Sequence, residues 1–323
     1  MSRDIVVGDL HIRKEEPFFR AAKSFLGWLL EYSKPEDNII FLGDTFHTSK
    51  PFPVENRLFL NYVLLFINKG VNIIIVAGNH DWNDNQESHS INILDELVST
   101  IYEPEFLETK NHSYFILPHL PGVDIEKFIN SEKFIEDYKD FITKSKAFLY
   151  HYNDETVMFN TKFSGVDFSI VEKINPNIER IGGHVHLNSY PNYLGTPYHT
   201  TIDEANQKSK VYVIEKEVKS KIELPDFILY KEIEYNTSLD DLDKSRDILT
   251  IKNAPSTDLV NKKFKGFNIR SIELENLVNI DEIASAEDTI KSDIGSIFLS
   301  FVEEKKVDSS VEKYIKDKLF NLG

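Results

Sequence analysis

Five short apolar runs in the sequence each end in side chains that could bind a metal ion or exchange a proton. In four of the five runs a glycine directly precedes the first of these side chains. The residues are Asp9, His11, Asp44, His47, Asn79, His80, Asp81, His151, His184 and His186. Carboxylate and imidazole ligands together suit divalent cations of intermediate softness, such as Mn, Fe or Zn. The pattern therefore predicts a metal centre.

The spacing and the charge of these residues indicate what such a centre would do. Asp9 and His11 stand two positions apart, as do His184 and His186, and in extended backbone such pairs point to the same side. A preceding glycine lets the backbone turn sharply and lets a ligand approach closely. The carboxylates of Asp9 and Asp44 offset only part of the charge of two divalent cations. The remaining positive charge favours an anionic substrate, and a phosphate group fits.

The elements that must position these residues alternate between strands and helices. Strands are predicted at residues 4–7, 38–42 and 71–78, with amphipathic helices at 15–33 and 53–69 between them. This alternation predicts a parallel sheet with helices on its faces, which is an α/β fold. Ligands of such sheets bind beyond the carboxyl ends of the strands, where the polar residues stand.

The second half of the same domain has a more mixed pattern. Strands are predicted at 113–117, 146–152 and 179–186, and a charged amphipathic helix is predicted at 124–145. The last two of these strands carry His151, His184 and His186. These two strands are therefore expected to bring the three imidazoles to the predicted metal centre.

Composition changes after residue 205, where the metal-binding pattern ends. The predicted organisation is a main domain at 1–206, a smaller α+β capping domain at 207–284 and a helical pair at 285–323. The runs KVYVIEKEV and RDILTIKNA, both after residue 209, alternate like strands of the capping domain.

The overall composition limits the classes of protein to which the chain could belong. The chain has 323 residues, of which 41% are hydrophobic, no cysteine and a formal net charge of -16. Disulfides and thiolate metal sites are therefore excluded, and a cytoplasmic location is expected. No apolar run approaches the roughly 18 residues of a membrane-spanning helix, and the N-terminus does not resemble a secretory signal. The acidic balance argues against strong unaided binding to nucleic acid.

Single histidines are most often structural, so the strength of the metal prediction lies in the combination. His89, His112 and His119 lack the glycine-flanked strand-end setting, and surface or supporting roles are expected for them. The role of His199, in the stretch GTPYHTT, is left open.

The motifs GDLH, GDTFH, GNHD, a strand-end histidine and GHVH resemble, in this order over residues 4–186, the calcineurin-like metallophosphoesterase superfamily. Two sequence details resemble those of the SbcD-type nucleases of double-strand-break repair, particularly the phage branch of these nucleases. His47 follows Asp44 by three residues where protein phosphatases have an arginine pattern, and GNHD replaces GNHE. The stretch YLGTPYHTTIDEANQKSKVYVIE is similar to the family's closing segment, in which an acidic residue precedes the strand leading to the capping domain. The resemblance implies a sandwich of two β-sheets flanked by helices.

The resemblance also implies a role for each site residue. Asp9, His11 and His186 would hold one metal, while Asn79, His151 and His184 would hold the other. Asp44 would bridge both ions, and a water between them would supply the attacking hydroxide. His80 would assist departure of the leaving group, and His47 would help to place the phosphate or the DNA. Asp81 would orient His80 or its loop, and Trp82 would pack beneath that loop.

For function, the resemblance implies a Mn-dependent DNA nuclease, both a 3′-to-5′ exonuclease and a single-strand endonuclease, in recombination, repair and replication. It would act with an SbcC-type coiled-coil ATPase, which the helical pair at 285–323 would bind, and a homodimer through helices near 53–100 is a further expectation. The resemblance to the phage branch also allows a phage origin, and the protein would then act in the cytoplasm of the host cell.

Two alternatives remain open at the level of sequence. One is a phosphodiesterase or phosphatase of the same fold that acts on a small molecule or a phosphoprotein. The other is a non-catalytic scaffold, although the complete ligand set argues against it.

Overall fold

The computed structural model describes residues 2–83, 89–157, 165–205 and 207–274. Its strands are β1 (Asp4–Val7), β2 (Asn38–Leu42), β3 (Asn72–Val76), β4 (Ser99–Ile101), β5 (Glu105–Glu108), β6 (Ser113–Leu117), β7 (Ala147–Tyr150), β8 (Glu179–Gly182), β9 (Lys210–Glu215), β10 (Val218–Glu223), β11 (Leu229–Glu234), β12 (Asp247–Ala254) and β13 (Asn268–Leu274). Its helices are α1 (Phe18–Tyr32), α2 (Pro53–Lys69), α3 (Ile125–Ile129), α4 (Glu132–Lys144), α5 (Ser169–Ile174) and α6 (Thr257–Lys263).

The first sheet has six strands in the order β10-β9-β1-β2-β3-β4. Strands β1 to β4 run parallel, with Ile5 beside Ile39 and Ile40 beside Ile74. The side chains of β1, β2 and β3 are almost entirely apolar and buried, as expected for parallel strands covered on both faces. Helices α1 and α2 cover one face with apolar stripes that include Phe25.

The second sheet has four strands in the order β5-β6-β7-β8, of which β6, β7 and β8 are parallel. A shared apolar core lies between the two sheets and includes Ile40, Leu42, Ile116 and Leu149. Helices α3, α4 and α5 pack on the outer face of the second sheet. The two sheets flanked by helices confirm the predicted sandwich.

The helix predicted at 124–145 is divided into α3 and α4. Ser131 is the reason, because its backbone is extended and its hydroxyl accepts a hydrogen bond from the amide of Phe134. A serine in this position ends one helix and caps the next.

Strands β9 and β10 belong to the first sheet, whereas the sequence placed them in the smaller domain. Strand β9 pairs antiparallel with β1, and its residues Val211 and Val213 join the core under α1. Periodicity predicts that a segment is a strand but does not specify its partner, which accounts for the difference.

The three-stranded sheet β11-β12-β13 is parallel throughout and packs on α6 around Leu249, Ile251 and Phe264. It meets the main core through Ile248, which is buried with residues of α1. The helical pair predicted at 285–323 lies outside the described residues. None of the helices in the described part of the chain has the length and apolar character that a membrane-spanning helix needs.

Candidate metal centre

The first group of candidate ligands comes from the carboxyl ends of β1 and β8. Ligand atoms of Asp9, His11 and His186 lie within 4.8 Å of one another. The Nε2 atoms of His11 and His186 are 2.9 Å apart, and the amide of His184 donates to the Asp9 carboxylate at 2.8 Å. The contact ties the ends of the two sheets together.

The second group follows β2, β3, β7 and β8. Ligand atoms of Asp44, His151 and His184 lie within 4.8 Å of one another, and Asn79 stands between the two imidazoles. The side-chain oxygen of Asn79 is 2.7 Å from His184 Nδ1 and 3.2 Å from His151 Nε2.

Asp44 lies between the two groups. Its Oδ1 is 3.3 Å from Nε2 of His151, and its Oδ2 is 3.5 Å from Nε2 of His11. A carboxylate that presents one oxygen to each group has the geometry of a bridging ligand.

The backbone at this centre takes unusual conformations. His11, Asp44 and His184 have φ values of 45°, 47° and 74°, in the left-handed region that costs non-glycine residues about 1 kcal/mol or more. Gly78 is required by close approach, because a Cβ there would lie 2.2 Å from Oδ1 of Asp44.

Two further histidines, His80 and His47, border the first group. The rings of His11 and His80 have centroids 4.9 Å apart, and those of His11 and His47 are 5.5 Å apart. The His80 Nδ1 is 2.7 Å from the carbonyl oxygen of His47. If Nδ1 donates this bond, Nε2 remains available for a substrate.

Hydrogen bonds on the opposite ring nitrogens orient two of the candidate ligands. His151 Nδ1 is 2.9 Å from the carbonyl oxygen of Leu42, which directs Nε2 to the centre. His186 Nδ1 is 2.8 Å from the carboxylate of Glu204, which is 1% exposed. Thr200 also donates to that carboxylate, through both its amide and its hydroxyl. A carboxylate behind a ligating imidazole fixes its tautomer and raises its basicity.

Glu204 could not be singled out from the sequence. The only signal for it was the acidic residue expected in the closing segment, and Asp203 satisfied that pattern equally well. The structure distinguishes the two, because Glu204 is buried against His186 whereas Asp203 is exposed.

The electrostatics of the centre reflect carboxylates and imidazoles that share a buried space. Burial raises the pKa of Asp9. Burial alone would lower the pKa of the His151 imidazole, but the Asp44 and Asp9 carboxylates raise it to about 9. Burial and the neighbouring His151 lower the pKa of His184 to about 3.

The donor set fits two divalent cations. The Nε2 atoms of His11 and His186 lie 2.9 Å apart, so their lone pairs converge on the same space. Two buried carboxylates face the imidazoles, and no lysine or arginine is among the ligands. Cations between these groups would satisfy the converging lone pairs and compensate the buried carboxylates.

The remaining residues of interest have structural contacts. Asp81 is fully buried and accepts from the amide of Gly78, so it orients the loop rather than the ring of His80. Trp82 donates its indole N–H to the carbonyl of His119. His89 stacks on Tyr102 with ring centroids 3.7 Å apart.

The other histidines lie outside the two ligand groups. His112 is near Tyr114, with ring centroids 5.1 Å apart. His119 is near Tyr152, and burial together with the charge of His151 lowers its pKa to about 4. His199 is 4% exposed and its Nε2 is 2.9 Å from the carbonyl oxygen of Gln207, which is a structural contact.

Comparison with solved structures gives likenesses of low identity. A novel archaeal phosphodiesterase is 14% identical, with a TM-score of 0.34, and the match covers 69% of this chain and 99% of that one. A protein of unknown function from Aquifex aeolicus is 22% identical, with a TM-score of 0.30 and coverage of 51% and 83%. A cold-active protein-tyrosine phosphatase of a psychrophilic Shewanella species is 11% identical, with a TM-score of 0.33 and coverage of 69% and 80%.

No curated protein matches the sequence. A family model does, and the match spans residues 3–189, which is more than half of the chain. That span contains all seven candidate ligands and both neighbouring histidines. The chain therefore belongs to the calcineurin-like phosphoesterase family, whose members are metal-dependent phosphoester hydrolases.

Proposed function

We propose that this protein is a Mn-dependent DNA nuclease that hydrolyses phosphodiester bonds with two metal ions. The observation that carries the proposal is the convergence of two carboxylates, one amide and four imidazoles at five strand ends, with His80 and His47 beside them. This arrangement has the ligand number that a two-metal phosphoesterase needs.

Each side chain would have a separate task. Asp9, His11 and His186 would hold one ion, Asn79, His151 and His184 the other, and Asp44 both. Bound ions would lower the pKa of a water molecule and offset the negative charge of the phosphate.

Two histidines would handle the substrate. His80, whose Nδ1 would donate to the carbonyl of His47, would act as the imidazolium and pass its Nε2 proton to the leaving oxygen. His47 would contact the phosphate or the nucleic acid chain.

DNA is proposed as the substrate because His47 follows Asp44 in the manner of SbcD-type nucleases and because a separate three-stranded unit follows the sandwich. A net charge of -16 opposes unaided DNA binding, so an SbcC-type ATPase is proposed to help hold the duplex. Exposed Leu64, Leu65 and Ile67 on α2 would suit a second copy of the chain.

The test is cleavage of end-labelled single-stranded and duplex DNA with Mn, by the wild type and two variants. His80→Ala should keep its metals and lose about a hundredfold or more in rate, the usual scale for a general acid. Asp44→Ala should lose both metal and activity. Wild-type protein that holds two Mn ions and leaves both DNA forms intact would contradict the nuclease proposal.

The second candidate is hydrolysis of a small phosphodiester or of a phosphoprotein. The acidic net charge favours it, since a small substrate needs no extended basic surface. Turnover of an aryl phosphodiester or a phosphopeptide, with DNA left uncut in the same buffer, would establish this alternative.

A further inference from the structure

Arg13 is a cationic side chain at the border of the metal centre. His11 and Ile12 lie beside the segment that carries Asp44 and His47, because Ile12 forms a parallel bridge with Phe46. The amide of His11 donates to the carbonyl of Asp44 at 2.9 Å, and that of His47 donates to the carbonyl of Ile12 at 3.0 Å. Arg13 therefore follows directly on backbone that is fixed against the centre.

The guanidinium of Arg13 is held in place by two contacts. Its Nη2 donates to the carbonyl of Thr200 at 2.8 Å, and its central carbon lies 3.3 Å from the centroid of the Phe18 ring. The hydroxyl of Thr200 is in turn 3.1 Å from Nδ1 of His186. The cation therefore extends from the backbone beside His47 towards the loop that supports His186.

Part of the hydrogen-bonding capacity of Arg13 is unused. Its Nε is buried and has no partner among the described residues, although a guanidinium has five N–H donors. That atom is closed to solvent, so an anion from outside would meet the terminal nitrogens of this half-buried side chain.

The charges around Arg13 agree with this expectation. Burial, followed by the positive charge of Arg13, lowers the pKa of His47, and the backbone of Ile12 is hydrogen-bonded directly to that of His47. Glu204 is also near, but its carboxylate already accepts hydrogen bonds from His186, Thr196 and Thr200. Glu15 is also near but exposed, so solvent screens its charge and the cation remains available to an anion from outside.

We infer that Arg13 binds the phosphate next to the one being hydrolysed, and so makes the site prefer a polynucleotide to an isolated phosphodiester. This inference rests on the proposed function. The planar fork of arginine matches two phosphate oxygens, and a scissile phosphate between the metal ions would leave Arg13 free for its neighbour. A purely structural role would be to clamp the beginning of α1 to the loop at Thr200.

The experiment compares Arg13→Ala and Arg13→Lys with the wild type on a short single-stranded oligonucleotide and on bis(p-nitrophenyl) phosphate, both with Mn. Lys110→Ala is the matched charge control, because Lys110 is exposed, pairs with Glu36 and precedes β6 at the opposite edge of the sheets. Bound metal and melting temperature are measured for every variant. Oligonucleotide affinity is measured separately in a His80→Ala background, because this variant should degrade the oligonucleotide only slowly.

For Arg13→Ala, kcat/KM on the oligonucleotide should fall about tenfold to a hundredfold, mainly through KM, the size expected for one lost charge-assisted hydrogen bond. Turnover of the small diester should stay unchanged. The slope of log affinity against log salt should become shallower by about 0.7, the contribution of one phosphate contact on a single strand. Arg13→Lys should recover part of the affinity, and Lys110→Ala should resemble the wild type.

Equal losses of Arg13→Ala on both substrates, or an unchanged salt slope, would overturn the inference and leave Arg13 a structural clamp. These outcomes differ from failure of the proposed function, in which the wild type itself cleaves the small diester and leaves the oligonucleotide intact.

Discussion

At the scale of single residues, the centre depends on groups that are not ligands themselves. Glu204 accepts from Nδ1 of His186, and the carbonyl of Leu42 faces Nδ1 of His151. Each contact directs Nε2 towards the metal position. The supporting acceptors therefore decide whether the imidazoles are ready to bind.

The first prediction concerns Glu204→Gln. The substitution keeps the shape of the side chain but removes the charge that increases the basicity of His186, so affinity for one of the two metal ions should fall about tenfold to a hundredfold. Competition with a metal-sensitive dye measures the affinity. Thr201→Ala is the control, since it removes only one donor, 3.1 Å from the same carboxylate, and should bind as the wild type does. Two ions bound at wild-type strength by Glu204→Gln would contradict the assigned role.

The second prediction is a pH dependence that arises at His151. Its pKa of about 9 lies above the ordinary value of 6.5, so the metal-free centre carries a proton at neutral pH that an ion must displace. Metal affinity should therefore rise as pH increases from 7 to about 9, and binding should release a proton. Calorimetry in buffers of different ionisation enthalpy measures that proton, and binding without release at pH 7.5 would exclude this assignment.

The same shift has a consequence for the stability of the metal-free protein. A pKa that is raised on folding stabilises the protein fully below about 6.5, and this contribution is lost as pH rises through about 9. The melting temperature in chelator should accordingly fall over this window. Substitution of His151 by Gln should remove that part of the pH dependence.

At the scale of elements, the strand ends can only meet because their glycines leave room. A Cβ on Gly78 would lie 2.2 Å from Oδ1 of Asp44, and one on Gly43 would lie 2.0 Å from Nδ1 of His151. These contacts join the ends of β2, β3 and β7. At Gly78 the requirement comes from the crossing of the carboxyl ends, whereas Gly43 also has a φ of 89°, which other residues rarely adopt.

The third prediction compares two glycine substitutions. Gly78→Ala should reduce metal content and activity strongly, because the added methyl group displaces Asp44. Gly27→Ala lies inside α1, where the nearest atom to a new Cβ is the Tyr62 hydroxyl at 3.4 Å. It should keep full metal content and gain up to about 1 kcal/mol of stability from the better helix propensity of alanine. Metal analysis and thermal melting measure both, and Gly78→Ala with two bound ions would show that the loop can relax.

At the scale of the whole molecule, the metal centre joins the two sheets. Asp9, Asp44 and Asn79 follow strands of the first sheet, while His151 and His184 follow strands of the second. Ions bound there would hold the two layers together at one edge, in addition to the apolar core between them.

The fourth prediction is a stabilisation of the entire sandwich by metal. Saturation with Mn at a hundred times the dissociation constant should add about 2.7 kcal/mol to the free energy of unfolding for each ion bound, because only the folded chain assembles the ligands. Chelation should remove the gain. Asp44→Ala should show no Mn-dependent change in melting temperature, and an equal increase in that variant would mean that the ions bind elsewhere.

The sequence by itself determined the local features of this protein. Each ligand motif directly follows its own apolar strand, so β1 to β3, α1, α2 and the candidate ligands could all be predicted from neighbouring residues. The sequence could not determine features that depend on distant partners. Glu204 supports His186 across 18 residues, β9 joins β1 from more than 200 residues away, and Arg13 meets Thr200 across 187. Only the tertiary structure decided these contacts, because periodicity and spacing describe an element and contain no information about the element against which it packs.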